Sequence, residues 1–105
     1  MNFAIADVIL VPIPFTDLTS RKVRPAIVIG ESSPTSDLFV VPITSQMQNT
    51  AAPLRDWQAA GLNVACGVKA QIATLERRMI LKRIGRLTQS DHAAVVTCLK
   101  AWLKL

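Results

Sequence analysis

Two apolar, β-branched runs set close together constrain this chain more than any other feature. Lys22 to Gly30 reads K-V-R-P-A-I-V-I-G, and Thr35 to Gln46 reads T-S-D-L-F-V-V-P-I-T-S-Q. Ile27, Val28 and Ile29 in the first run, and Leu38 to Ile43 in the second, have the length and branching of buried strands. The first is entered through Arg24 and Pro25, and the second leaves through Thr44, Ser45 and Gln46. Paired antiparallel, the start of one lies beside the end of the other, which brings Arg24 and Thr44 to the same end of one sheet. A guanidinium beside a hydroxyl, both held by strands, is a grip for a phosphate group.

The rest of the chain reads as support for that sheet. Asp7 to Val11 (D-V-I-L-V) is a strand that stops at Pro12 and Pro14, which cannot donate to a ladder. Phe15 to Lys22 is a polar hairpin loop built on the turn formers Asp17, Thr19 and Ser20. Ser45 to Pro53 is aperiodic and reads as a loop, Leu54 to Gln58 as a short strand, and Gly67 to Ile72 as another strand by its alternation. Thr74 to Arg78 is ambiguous, and Met79 to Ile84 fits helix or strand equally, with Gly85 closing it. The last segment is clearer. Thr88 followed by Asp91 resembles a capping box, and Val95, Cys98, Leu99 and Trp102 fall at i, i+3, i+4 and i+7. Ala93, Thr97, Lys100 and Lys104 take the opposite face of this C-terminal amphipathic helix, whose end suits its lysines. The expectation is one domain, residues 1–105, mainly β with a helical end.

Composition narrows the function classes. Half of the 105 residues are hydrophobic, and the mean hydropathy is +0.35. No run nears the roughly 18 uninterrupted apolar residues of a membrane helix, and the N-terminus lacks a basic leader and carries Asp7 early. These features predict a cytoplasmic protein with no membrane partner, its surplus apolar surface covered in a homodimer. A net charge of +5 favours a polyanionic partner, nucleic acid above all, or an acidic protein. Cys66 and Cys98 are the only cysteines and His92 the only histidine. That set makes no zinc site, and the thiols read as reduced. No disulfide, metal or cofactor is expected.

The order D-V-I-L-V-P-I-P-F-T-D, K-V-R-P-A-I-V-I, D-L-F-V-V-P-I-T-S-Q, then T-L and I-G-R-L-T before a final helix, resembles the MazF/PemK family over nearly the whole chain. Those proteins are toxins of type II toxin–antitoxin pairs. The resemblance implies a small SH3-like β-barrel with helices, a homodimer, and metal-independent cleavage of single-stranded RNA. It assigns the catalytic arginine to Arg24 and the catalytic threonine to Thr44, with Ser45 and Gln46 beside it. It places Phe15, Thr16 and Asp17, with Lys22, along an RNA groove, and further RNA contacts at Val68 and Lys69. An acidic antitoxin segment over that groove is implied as the inhibitor. Two departures stand out. Ala6 precedes Asp7 where the family has glycine, and Lys69-Ala70-Gln71 holds no carboxylate where many members carry one.

Metal-free RNA cleavage needs the 2′-hydroxyl to attack its own phosphate, a proton acceptor, a proton donor and a counter to the growing negative charge. Arg24 suits the last role and Thr44 the hydrogen bonding, and Asp17 is a candidate base if its loop folds over the groove. Plainer readings stand beside these: Arg24 as a strand-end surface charge and Thr44-Ser45 as a turn. Arg77, Arg78, Lys82, Arg83 and Arg86 are five cations in ten residues, equally a solvated face or an RNA track. Trp57 is open between core and base stacking, Trp102 reads as core, and His92 receives no catalytic role. A protein-targeting poison of the same fold, similar to CcdB, and a catalytically silent relative are the competing functions.

Overall fold

The computed structural model describes residues 2–12, 23–32 and 36–105. Seven strands form one antiparallel sheet and a single long helix follows: β1 (Asp7–Val11), β2 (Arg24–Glu31), β3 (Leu38–Thr44), β4 (Ala52–Pro53), β5 (Gly67–Val68), β6 (Ala73–Leu75), β7 (Lys82–Arg86) and α1 (Gln89–Leu103). The path runs β4-β5-β3-β2-β1-β7, and β6 joins β3 off that path. Short 3₁₀ turns at Met47–Asn49 and Arg77–Met79 link strands.

β2 and β3 are apolar on both faces because both faces are covered. Ile27 and Val41 enter one core cluster with Val8, Ile43, Leu54, Leu62, Cys66, Val68 and Val95. Ala26, Val28 and Val40 enter another with Ile9, Val11, Leu38 and Leu75. A run buried this way loses the polar alternation of a one-sided strand, and each aliphatic side chain taken from water contributes about 1.5–3 kcal/mol. The sheet bends around β3, which pairs β2 along one edge and, along the other, β6 at Leu38–Val40 and β5 at Ile43–Thr44.

The helix follows its periodicity. Val95 is buried, while Cys98, Leu99 and Trp102 pack on the same cluster; Ala93, Thr97, Lys100 and Lys104 are exposed. Thr88 caps it by accepting the Asp91 amide. The Asp91 carboxylate does not turn back to Thr88 to close a capping box. It accepts the amides of Arg55 (3.0 Å) and Asp56 (2.8 Å) instead.

That contact explains why Leu54 to Gln58 is not the strand expected from sequence. The segment from Arg55 to Gly61 is a series of turns, its first amides held by Asp91 rather than by a sheet. Trp57 packs against the core beneath it. Gly61, at φ +92°, ends the turns where a Cβ would meet the Ile84 carbonyl oxygen at 2.1 Å. Gly85 answers from inside β7, where a Cβ would meet the Ala60 carbonyl oxygen at 2.1 Å. Gly85 therefore does not close its segment; it permits two backbones to touch.

The expected strand over Gly67 to Ile72 is shorter. After Val68 the Lys69 amide donates to Pro42, and the Gln71 amide donates back to the Lys69 carbonyl, a kink that sends the chain to the other end of β3 as β6. Met79 to Ile84 resolves as a 3₁₀ turn leading into β7, whose pairing with β1 shifts register between Val8 and Ile9.

Candidate active site

Arg24 and Thr44 sit where the strand argument put them. Ala26 faces Pro42 in the β2–β3 pairing; continued outward, that register sets Pro25 against Ile43 and Arg24 against Thr44. Val11 faces Arg24 on β1 and Gly67 faces Thr44 on β5, so one row crosses four strands at the end of the sheet. Residues directly opposed in this way have Cα atoms about 4.5–5.5 Å apart. Arg24 is exposed and Thr44 half-buried. Among the described residues no carboxylate pairs with Arg24, which leaves its five N–H donors for an anion.

Thr44 is held by the turn that follows it. The Gln46 amide donates to Thr44 Oγ1 at 3.1 Å, and Gln46 Oε1 accepts from Asn49 Nδ2 at 2.8 Å. With its oxygen already accepting, the Thr44 hydroxyl keeps its own hydrogen to donate. Ser45 and Gln46 are exposed beside it. Val68 is fully buried in the core, and the adjoining Lys69 is half-buried. Phe15, Thr16, Asp17 and Lys22 lie outside the described residues.

A cleft of about 640 Å3 adjoins this end of the sheet. Arg24 and Ser45 border it, and Thr44 does not. Lys82, Leu10, Pro25 and Ile43 line it as one further row across four strands, with the 61–64 turn as the opposite wall. Its lining holds Arg24, Lys82 and Arg83 and no carboxylate.

The five-cation stretch divides. Arg77 pairs with Glu31 and donates to the Ser36 carbonyl, and Arg78 pairs with Glu76. Arg83 and Arg86 both engage Asp7, at 3.7 and 3.1 Å. Asp7 is 0% exposed and also accepts the Ala4 amide, so these two arginines compensate a buried charge. Lys82 is the member of the stretch with no ion pair among the described residues. Sequence reasoning missed Asp7 and Asp91 as anchors because their partners are distant in the chain. Cys66, 4% exposed, lies at the cleft with its Sγ donating to the Val64 carbonyl, and burial pushes its thiol pKa up.

A small antiparallel β protein with a cationic cleft at one sheet end is the class this geometry defines. The family model for PemK-like, MazF-like toxins of type II toxin–antitoxin systems matches residues 5–103, and the chain belongs to that family. In fold it is similar to a solved "Endoribonuclease in complex with its cognate antitoxin from Mycobacterial species", at TM-score 0.72 and 19% identity, covering 100% of this chain and 97% of that one. A search of curated proteins gives no match.

Proposed function

We propose that this toxin is an endoribonuclease that cuts single-stranded RNA without a metal, leaving a 2′,3′-cyclic phosphate and a 5′-hydroxyl. The observation that carries this reading is the register that sets the unpaired Arg24 against Thr44 beside a cleft without carboxylates. The substrate's own 2′-hydroxyl is the nucleophile. Arg24 donates two parallel hydrogen bonds to the phosphate oxygens as they gain charge, and Thr44 donates a third. A bidentate cation positioned for the transition state is what such a reaction most needs from the protein. The active form is a homodimer in the cytoplasm, silenced when an acidic antitoxin segment covers the Arg24 end of the sheet. Opposite charge speeds that encounter and makes it salt-sensitive.

The test is cleavage of a long RNA in EDTA, with end analysis of the products. Arg24→Ala should lower the rate about 100- to 1000-fold, the usual effect of losing one such donor. Its thermal midpoint should match wild type, because an exposed residue leaves no cavity. Arg24→Lys should recover little, since a point charge lacks the fork. Products with 5′-phosphates, or full activity in Arg24→Ala, would refute the mechanism. Absence of any cleavage, with toxicity retained, would favour a protein-targeting poison.

A further inference from the structure

The cleft has a rigid floor, a rigid wall and one charge sign. Lys82, Leu10, Pro25 and Ile43 form its floor from four neighbouring strands. The wall is fixed by the Gly61–Gly85 approach, by Leu62, whose amide donates to the Trp57 carbonyl at 3.1 Å, and by the buried side chains of Leu62 and Cys66. Between those anchors Asn63 and Val64 are exposed at the cleft. Its volume of about 640 Å3 lies within the roughly 300–1,000 Å3 of small-molecule sites. Apolar floor, amide edge and cationic rim suit a flat heterocycle carrying a phosphate.

We propose that this cleft holds one nucleotide adjoining the scissile phosphate and selects its base. The inference rests on the RNA-cleaving reading above and deepens it. Arg24 belongs both to the cleft border and to the Arg24–Thr44 row, so a strand gripped there delivers its neighbouring nucleotide to the cleft. The base lies over Leu10, Pro25 and Ile43. The Asn63 amide, with two donors and an acceptor, reads a Watson–Crick edge that a single strand leaves free. Lys82, unpaired at the far end of the floor row, takes the next phosphate. Asn63 and Val64 are thus specificity residues on a turn far in sequence from Arg24.

Three variants test this: Asn63→Ala, Val64→Trp to fill the cleft from an exposed position, and Lys82→Gln. Each is compared with wild type and Arg24→Ala by mapping cuts on a long RNA. KM and kcat are measured on a short preferred substrate, and affinity on the same oligonucleotide blocked by a 2′-deoxy sugar at the cut. Asn63→Ala should relax base preference at one position next to the cut. Val64→Trp should raise KM about tenfold, the equivalent of one lost charge-assisted hydrogen bond, and more than it lowers kcat. Lys82→Gln, on an exposed strand edge, should weaken binding to all sequences and reduce the salt slope by about one. If wild type cuts, Arg24→Ala does not, and all three variants keep the wild-type cut profile, KM and salt slope, the subsite is wrong while the nuclease reading stands. If wild type neither binds nor cuts RNA, both fall.

Discussion

Asp91→Asn should be the most destabilising single-atom exchange in this molecule. Asp91 is 1% exposed, and its two carboxylate oxygens take the amides of Arg55 and Asp56 at 3.0 and 2.8 Å. Asparagine keeps the shape but offers one acceptor oxygen. Its NH2 group then points at an amide N–H, donor against donor. Losing one hydrogen bond to a charged acceptor costs about 1.5–3 kcal/mol, and the survivor, now neutral, is about half as strong. The sum is about 3 kcal/mol, at roughly 4–8 °C per kcal/mol for a domain near 100 residues, or a fall of about 12–24 °C in thermal midpoint. Urea melts at fixed protein concentration, followed by circular dichroism and by the fluorescence of Trp57 and Trp102, measure it. Hydrogen exchange locates it: the Arg55 and Asp56 amides should lose protection while the β2 and β3 amides keep theirs. A loss below 1 kcal/mol, or continued protection of both amides, would refute the argument that Asp91 holds the 55–61 turns in place.

Other outcomes follow from the same geometry. Gly85→Ala should cost at least about 2 kcal/mol, since its Cβ meets a backbone oxygen at 2.1 Å, and a melt within 1 °C of wild type would contradict the close approach. Ala6 sits at φ 80°, so Ala6→Val, β-branched, should destabilise strongly. Ala6→Gly should stay within about 1 kcal/mol of wild type, because relief of about 1–2 kcal/mol of backbone strain offsets a freer unfolded chain and one lost buried methyl. The raised Cys66 pKa means that above pH 9 the unfolded thiol ionises while the folded one keeps its proton. Stability contributed below that pH is then lost as pH rises, and the urea midpoint of wild type should fall more steeply from pH 8 to 10.5 than that of Cys66→Ala. Parallel slopes would show that burial does not act on the thiol.

What the sequence reveals of this fold is what is local. The β1 bounds, the β2 and β3 runs and the helix with its Thr88 cap follow from branching, proline stops and a 3.6-residue period, and those rules need no tertiary contact. The misread segments are those whose conformation is set from a distance. Leu54 to Gln58 has strand-like residues, yet Asp91, some 35 positions on, supplies its amides with a better acceptor than a ladder would. Gly85 reads as a terminator until the Ala60 carbonyl shows what it accommodates. Ala6 is the reverse case. Its departure from the family's glycine is visible in the sequence, and only the positive φ shows that the position still demands glycine-like backbone.

The site divides along the same line. The facing of Arg24 and Thr44 needs only two strands, a short turn and antiparallel pairing, all readable in advance. The identity of the free cations is not readable, because it depends on which carboxylates fold beside them. Of the five in Arg77 to Arg86, four are engaged by Glu31, Glu76 and Asp7. A guanidinium already shared with a carboxylate gives up part of that interaction when it binds a phosphate, whereas an unpaired one gives up only water. Exposed pairs are worth about 0.2–1 kcal/mol, so Arg77 and Arg78 yield readily; Arg83 and Arg86 would leave the buried Asp7 charge uncompensated, which is far costlier. The two cations held back by Asp7 are therefore structural in cost even where they border the cleft, and the charge available to an anionic strand resides in Arg24 and Lys82, at the ends of the two adjacent rows that cross the sheet.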